Sequence, residues 1–470
     1  MEIMVLVFLI GYFFIAIEHR VGIDKAAVAL LTGGILWVLY ILLSPLTVPN
    51  VFPVHFHEFV ADNNGVNILP LIEQCRSYIV DVHIIESLGE ISETLFFLMG
   101  AMTIVELVDV HGGFYIITDR ITTRNKKLLL ILIAFITFFM SSILDNLTTS
   151  IVMVMMVRKI VPNYKERWVY GSMIIIAANS GGAWSPIGDV TTIMLWIKGK
   201  ITTGPLISSL FIPGLISMIV PMLLATRMLK GELVETSRKA AGHISTILSE
   251  KERLILSAMG VLALVMVPVF KYLTHLPPFV GVLIGLSILW IYTEIIYSRK
   301  ETTETLKHRV TRVLKRVDTA TILFFLGILL AVNALQGTGV LNIMGAFLEE
   351  RVHNVYLINI AIGFLSAIVD NVPLVAVAMG MYPLADASMI AAAADPAFMQ
   401  TFVQDGSFWL FLAYCAGVGG SLLIIGSAAG VVVMGIERIT FNWYLKHFSL
   451  LALAGYLAGA GTFVLIDLFF

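Results

Sequence analysis

Charge is scarce in this sequence. Asp, Glu, Lys and Arg make up 13% of its 470 residues, about half of the roughly 25% that soluble domains carry. Cysteine is rarer still. Cys75 and Cys415 are the only two, which excludes a disulfide framework and any four-cysteine metal site and leaves each as an expected free thiol. There is no excess of base, because the formal net charge is −2; a nucleic-acid surface is excluded. Apolar residues fill the space instead: 58% are hydrophobic and the mean hydropathy is +0.93. A water-soluble fold cannot bury that much apolar surface. Runs such as 319–345 exceed the ~20 residues that cross a bilayer as a helix. The expected class is an all-α polytopic membrane protein.

Spans are expected at about 1–18, 26–43, 91–110, 169–197, 204–229, 254–270, 278–298, 319–345, 408–435 and 444–470. The first has no basic leader or small-residue cleavage site, so it reads as a span rather than a signal peptide. Residues 44–90 hold Pro45, Pro49, Pro53 and Pro70 with six acids and one arginine, and read as an external loop in which His55, His57 and His83 are solvated. Basic residues cluster at Arg120–Lys127, at Arg158–Arg167 and in the linkers 230–253 and 299–318. The positive-inside rule puts all four in the cytoplasm and the acid-bearing loop 384–407 outside.

Residues 128–157 therefore start and end on the same side, yet two full crossings would need ~40 residues. A re-entrant hairpin is expected, turning at Asp145-Asn146. Residues 354–383 repeat the pattern from the other side, with a turn near Asp370-Asn371.

The two turns match as Ser141-x-Ile143-Leu144-Asp145-Asn146 and Ser366-x-Ile368-Val369-Asp370-Asn371. Upstream, Leu95-Phe96-Phe97-Leu98 pairs with Leu323-Phe324-Phe325-Leu326; downstream, Gly182-x5-Gly188 pairs with Gly420-x5-Gly426. Three landmarks in one order indicate a duplication. The charge map inverts one half relative to the other, the architecture of secondary transporters with a midplane site.

Asp145 and Asp370 should lie deep in the membrane, where an ionised carboxylate costs ~2.5–3.5 kcal/mol on insertion scales. Each could cap the helix after its turn. Capping does not explain an acid at both inverted turns, where serine would cap as well, so a cation or proton role is expected. Asn179-Ser180-Gly181-Gly182-Ala183-Trp184-Ser185-Pro186-Ile187-Gly188-Asp189-Val190-Thr191-Thr192 cannot form one continuous helix. It reads as a broken span whose freed carbonyls and side-chain oxygens suit a hard cation. The second half offers Gly417-Val418-Gly419-Gly420-Ser421 through Gly426-Ser427 without an acid. Glu106 enters the third span and offers a possible proton path; Glu90 and Glu93 read as interfacial.

With these segments in view, the chain resembles the NhaD-type sodium/proton antiporters of the ion-transporter superfamily, relatives of the sodium–dicarboxylate and arsenite carriers. The resemblance covers nearly the whole length and is most specific from Asn179 to Asp189. It implies paired hairpins, two inverted repeats, a homodimer and exchange of sodium, often also lithium, for protons. As ion ligands it implies Asp145, Asn146, Thr148, Thr149, Asn179, Asp189, Thr191, Thr192, Ser366, Asp370 and Asn371. Ser180, Ser185, Ser421 and Ser427 join that set as hydroxyls in the same segments. Some relatives carry a further acid just before the hairpin aspartate; here that position is Leu144.

The expected division is 1–90 as N-terminal scaffold, 91–229 as transport repeat 1, 230–318 as linkers with a scaffold span pair, and 319–470 as inverted repeat 2. The expected function is sodium/proton exchange by alternating access in a bacterial-type inner membrane. No cofactor and no nucleic acid are expected, membrane lipid surrounds the protein, and sodium, lithium and protons are substrates. Three other readings compete. A dicarboxylate or arsenite carrier of the same superfamily meets two aspartates that would repel an anion, and neither turn motif holds a lysine or arginine to clamp it. An intramembrane aspartyl protease lacks the Gly-x-Gly-Asp segment and leaves the duplication unexplained. An ion channel shares the buried acids, and transport kinetics distinguish it.

Overall fold

The computed structural model describes residues 2–63, 65–113, 123–233, 248–299, 310–368 and 370–469. Arg120, Val369 and much of the two linkers lie outside the described residues. Among those described there is no strand, and the helices of seven residues or more are α1 (Glu2–Ala16), α2 (Lys25–Val51), α3 (Pro53–Asp62), α4 (Leu71–Val110), α5 (Lys126–Leu144), α6 (Asn146–Ile160), α7 (Tyr164–Gly182), α8 (Val190–Ile197), α9 (Thr203–Ala225), α10 (Glu250–Thr274), α11 (Pro278–Arg299), α12 (Thr319–Gly337), α13 (Val340–Val352), α14 (Val355–Ser366), α15 (Asn371–Met381), α16 (Ser407–Gly419), α17 (Ala428–Glu437), α18 (Phe441–His447) and α19 (Ser449–Phe469). Eight of them are long and apolar enough to cross a bilayer. This is an all-α integral membrane protein.

Three segments differ from the sequence-based expectation. Residues 44–90 are mostly helix, because α2 runs through Pro45 and Pro49. Pro45 and Pro49 cost this helix only the N–H bonds to the Ile41 and Pro45 carbonyls, a loss that apolar helices tolerate where neighbouring groups re-satisfy the backbone. Helix α4 starts at Leu71 and contains a π-helical turn at Ile79–His83. His83 is therefore no solvated loop residue: its ring packs against Trp37, Tyr40 and Phe52. The span expected over 319–345 divides at Gly339, whose φ of 75° starts α13 in a new direction.

One compact unit comprises residues 1–96, 318–354 and 372–384. Its axis is the α2–α12 pair. A Cβ on Gly33 would lie 2.7 Å from the Gly327 carbonyl oxygen, so only glycine allows the two backbones this close, the small-residue packing of membrane helices. Trp37 Nε1 donates to the Leu330 carbonyl at 3.0 Å, and Lys25 lies over the Phe324 ring.

The second unit comprises residues 97–317, 355–371 and 385–470. Helices α9 and α19 pack at Gly455 and Gly459, whose added side chains would strike Ser217 and Pro213 carbonyls. Helices α10 and α11 form a pair, with Gly285 against Ala263. Outward side chains such as Leu262, Met266, Ile284 and Ile291 are exposed, as suits a hydrocarbon surrounding.

Candidate functional site

All of the expected ion ligands lie in the second unit. The first turn is compact: α5 ends at Leu144, α6 begins at Asn146, and Asp145 alone joins them. Its φ of 82° and ψ of 159° fall in a region that glycine normally occupies, a strain of about 1–3 kcal/mol that tends to persist at functional sites. The carboxylate caps α6, accepting from Thr148 N at 2.7 Å and Thr148 Oγ1 at 3.0 Å. The capping expectation is met at Asp145. Thr149 Oγ1 and Ser150 Oγ, one turn further on, are buried without a hydrogen-bond partner among the described residues.

Helix α7 ends at Gly182 and the chain resumes as α8 at Val190, so the span is broken where the two glycines and Pro186 foretell. A Cβ on Gly188 would lie 2.7 Å from the Ser141 carbonyl oxygen. The loop thus presses directly on the hairpin. Ser141 Oγ donates to the Ala178 carbonyl at 2.6 Å and Ser185 Oγ to the Ser142 carbonyl at 2.5 Å.

The second half repeats these contacts. Helix α16 ends at Gly419 and α17 resumes at Ala428. A Cβ on Gly426 would lie 2.7 Å from the Ser366 carbonyl oxygen, and Ser366 Oγ donates to the Ala416 carbonyl at 2.7 Å. Gly181 backs onto Phe138 in the first half as Gly419 backs onto Gly363 in the second.

Two polar groups come together between these loops. In one, Asn146 Nδ2 donates to Asn179 Oδ1 at 3.1 Å, and Asn179 Nδ2 donates to Ser421 Oγ and Ser427 Oγ, both at 2.9 Å. In the other, Asp189 Oδ2 accepts from Thr191 Oγ1 at 3.0 Å and from Asn371 Nδ2 at 3.2 Å. Asp189 is 2% exposed, and both of these partners are neutral side chains. It lies within electrostatic reach of Asp145 and of the half-buried Asp370. Gly417 leaves room at its side: a Cβ there would stand 3.1 Å from Asp189 Oδ2.

Other expected residues serve the backbone. Thr192 Oγ1 donates to the Asp189 carbonyl at 2.8 Å. Ser180 Oγ accepts from Ser217 on α9 at 2.8 Å, a residue that sequence reasoning missed because one serine in an apolar helix gives no signal. Glu106 stands apart from both groups, 3.7 Å from Arg316. Among the described residues, no three His, Cys, Asp or Glu side chains are grouped to hold one metal ion. A cation here would draw on amide, hydroxyl and carbonyl oxygens as well as carboxylate.

An ion pair ties one part of this core and a hydrogen-bonded aspartate another. In the first, Arg167 Nε donates to the buried Glu437 at 2.7 Å, Arg158 approaches it at 3.3 Å, and Trp168 Nε1 donates to its carbonyl at 2.9 Å. In the second, Asp405 accepts from Thr202 N at 2.5 Å and Oγ1 at 2.7 Å, and its own N–H donates to the Lys200 carbonyl at 3.0 Å. Lys200 lies over the Trp409 ring.

The family model described as citrate transporter matches residues 12–401. Sodium/proton antiporter 1 of Arabidopsis thaliana is 43% identical over 466 residues, 98% of this chain and 72% of the relative. The Na(+)/H(+) antiporter NhaD of Vibrio parahaemolyticus is 30% identical over 406 residues, 78% of this chain and 88% of the relative. NhaD of Vibrio cholerae is 28% identical over 495 residues, 98% and 91%. With its acid-bearing hairpin turn and the broken span that ends in Asp189, this chain belongs to the NhaD-type sodium/proton antiporter family.

Proposed function

We propose that this chain is a secondary active transporter that exchanges sodium, and also lithium, for protons by alternating access. The observation that carries the reading is Asp189, a carboxylate buried between two neutral donors in segments without lysine or arginine. Ionising a carboxylate in such surroundings is costly unless a cation sits against it. Asp189 therefore holds either a proton or a metal ion, and the arrival of one expels the other. Asn179, Asn371, Thr191 and the freed carbonyls of the broken spans supply the neutral oxygens. Asp145 and Asp370, within reach across the core, share the charge. Exposing that one site to each side in turn gives exchange with no further coupling device.

The paired contacts at Ser141/Gly188 and Ser366/Gly426 support two repeats, inverted about the membrane plane, each with a re-entrant hairpin. Under this reading repeat 1 is 91–229 and repeat 2 is 319–470, while 1–90 and 230–318 form the scaffold of a homodimer. The membrane is a bacterial-type cytoplasmic one, with Arg158 and Arg167 on the inner face.

The description of the matching family model favours a second reading, a carrier of citrate-like anions. One assay separates the two. Inverted vesicles holding a pH-sensitive dye should dequench on addition of sodium or lithium and not potassium. Dequenching that requires citrate, or none with either alkali ion, would favour the anion carrier.

A further inference from the structure

Beside the Glu437 tie, the structure forms a cavity of about 430 Å3 lined by Arg158, Tyr164, Arg167, Trp168, Glu437 and Arg438. Three guanidiniums face one carboxylate, so the lining has a surplus of positive charge. Their roles differ. Arg167 is committed, since it donates to Glu437 and to the Val161 and Pro162 carbonyls. Arg158 Nε stands 3.3 Å from Glu437 Oε1 without hydrogen-bonding it, and its side chain is 46% exposed. Arg438 makes no side-chain hydrogen bond or ion pair among the described residues.

The placement of Arg438 is informative. It closes α17 with φ 55° and ψ 37°, a left-handed cap that glycine or asparagine ordinarily takes. An arginine kept in that conformation, with its planar fork unused by the protein, suits recognition of a doubly bonded oxyanion.

The surroundings identify the depth. Trp168 packs edge to face on Trp443 of α18 at 5.2 Å and on Tyr164 at 5.6 Å. Phe441 and Leu445 on α18 are exposed. Tryptophan and tyrosine gather at the level of lipid headgroups, and basic pockets between spans at that level bind anionic heads. We propose that this cavity binds a phosphate group, held by Arg438 and Arg158, and that the phosphate is the headgroup of an anionic phospholipid. The site is separate from Asp189 and does not depend on which ion the protein carries.

Native mass spectrometry of the full chain with phosphatidylglycerol tests this. Wild type should retain the lipid saturably. A chain carrying Arg438→Gly and Arg158→Gln should bind it about tenfold more weakly, the loss expected for charge-assisted hydrogen bonds. Its melting temperature in neutral phosphatidylcholine should match that of wild type. If the double variant does not fold, Arg438→Gly alone, which suits the left-handed backbone, should still weaken retention. Equal retention by wild type and variant would overturn the site. Inorganic phosphate displacing the lipid and binding as tightly by itself would overturn the assignment to a headgroup.

Discussion

Asn371 donates its side-chain amide to the carboxylate of Asp189 at 3.2 Å, joining the start of α15 to the first broken span across 182 residues of sequence. A neutral donor can stay in place whichever partner the carboxylate holds. An arginine there would fix the charge and shut out a cation. The ion chemistry of this core follows from that choice of neutral neighbours.

Asp145→Gly separates the carboxylate from its backbone. Glycine accepts φ 82° without strain, which returns about 1–3 kcal/mol, against a few tenths for the lost cap. The melting temperature should hold or rise while sodium-driven proton movement is lost. A variant that transports normally would remove Asp145 from the mechanism.

Gly417→Ala narrows the space at Asp189. The new methyl would stand 3.1 Å from Oδ2 and 3.3 Å from Ala183 Cβ, and crowding of this kind costs roughly 1–3 kcal/mol. Half-maximal transport should need about tenfold more sodium, with the fold retained. An unchanged sodium requirement would place the ion elsewhere.

Thr191→Val removes one hydrogen bond to the carboxylate while leaving its proton-carrying oxygens. The sodium requirement should rise by about tenfold, the effect of one bond to a charged group, and the maximal rate should change little. Loss of the maximal rate alone would make Thr191 part of the moving step instead.

Lys200 gives a pH test outside the spans. Burial in the loop between α8 and α9, and then the neighbouring Lys198, lower its pKa from 10.5 to about 8. Between those values the unfolded chain holds a proton that the folded chain has lost, so folding grows more favourable as pH rises from about 8 to 10.5. Below about 8 the cost is constant. The protection factor of amides 199–204, their intrinsic exchange rate divided by the observed one, should rise across that window, and Lys200→Met should abolish the dependence.

Much of this core was legible in the sequence because it rests on local rules. A paired turn motif marked Asp145 as a turn, and helix breaks at that single residue. Paired glycines with Pro186 foretold a broken span, and helix stops at Gly182. The prolines of 44–90 misled, because a long apolar helix tolerates proline in its interior, and this one runs through Pro45 and Pro49. The break at Gln336-Gly337-Thr338-Gly339 went unread because no charge interrupts 319–345, although two glycines stand there. The charge tie of Arg167 to Glu437 spans 270 residues, and no periodicity connects residues so far apart. Nor did any pattern mark Asn371 as the partner of Asp189.

Competition at Asp189 can be measured without a membrane gradient. Purified protein in weakly buffered detergent solution, with a pH dye, should release protons when sodium or lithium is added and should do so less at higher pH. Asp189→Asn should fold, shown by an unchanged melting profile, and release none. Sodium binding to wild type without proton release, or full release from Asp189→Asn, would contradict exchange at this carboxylate.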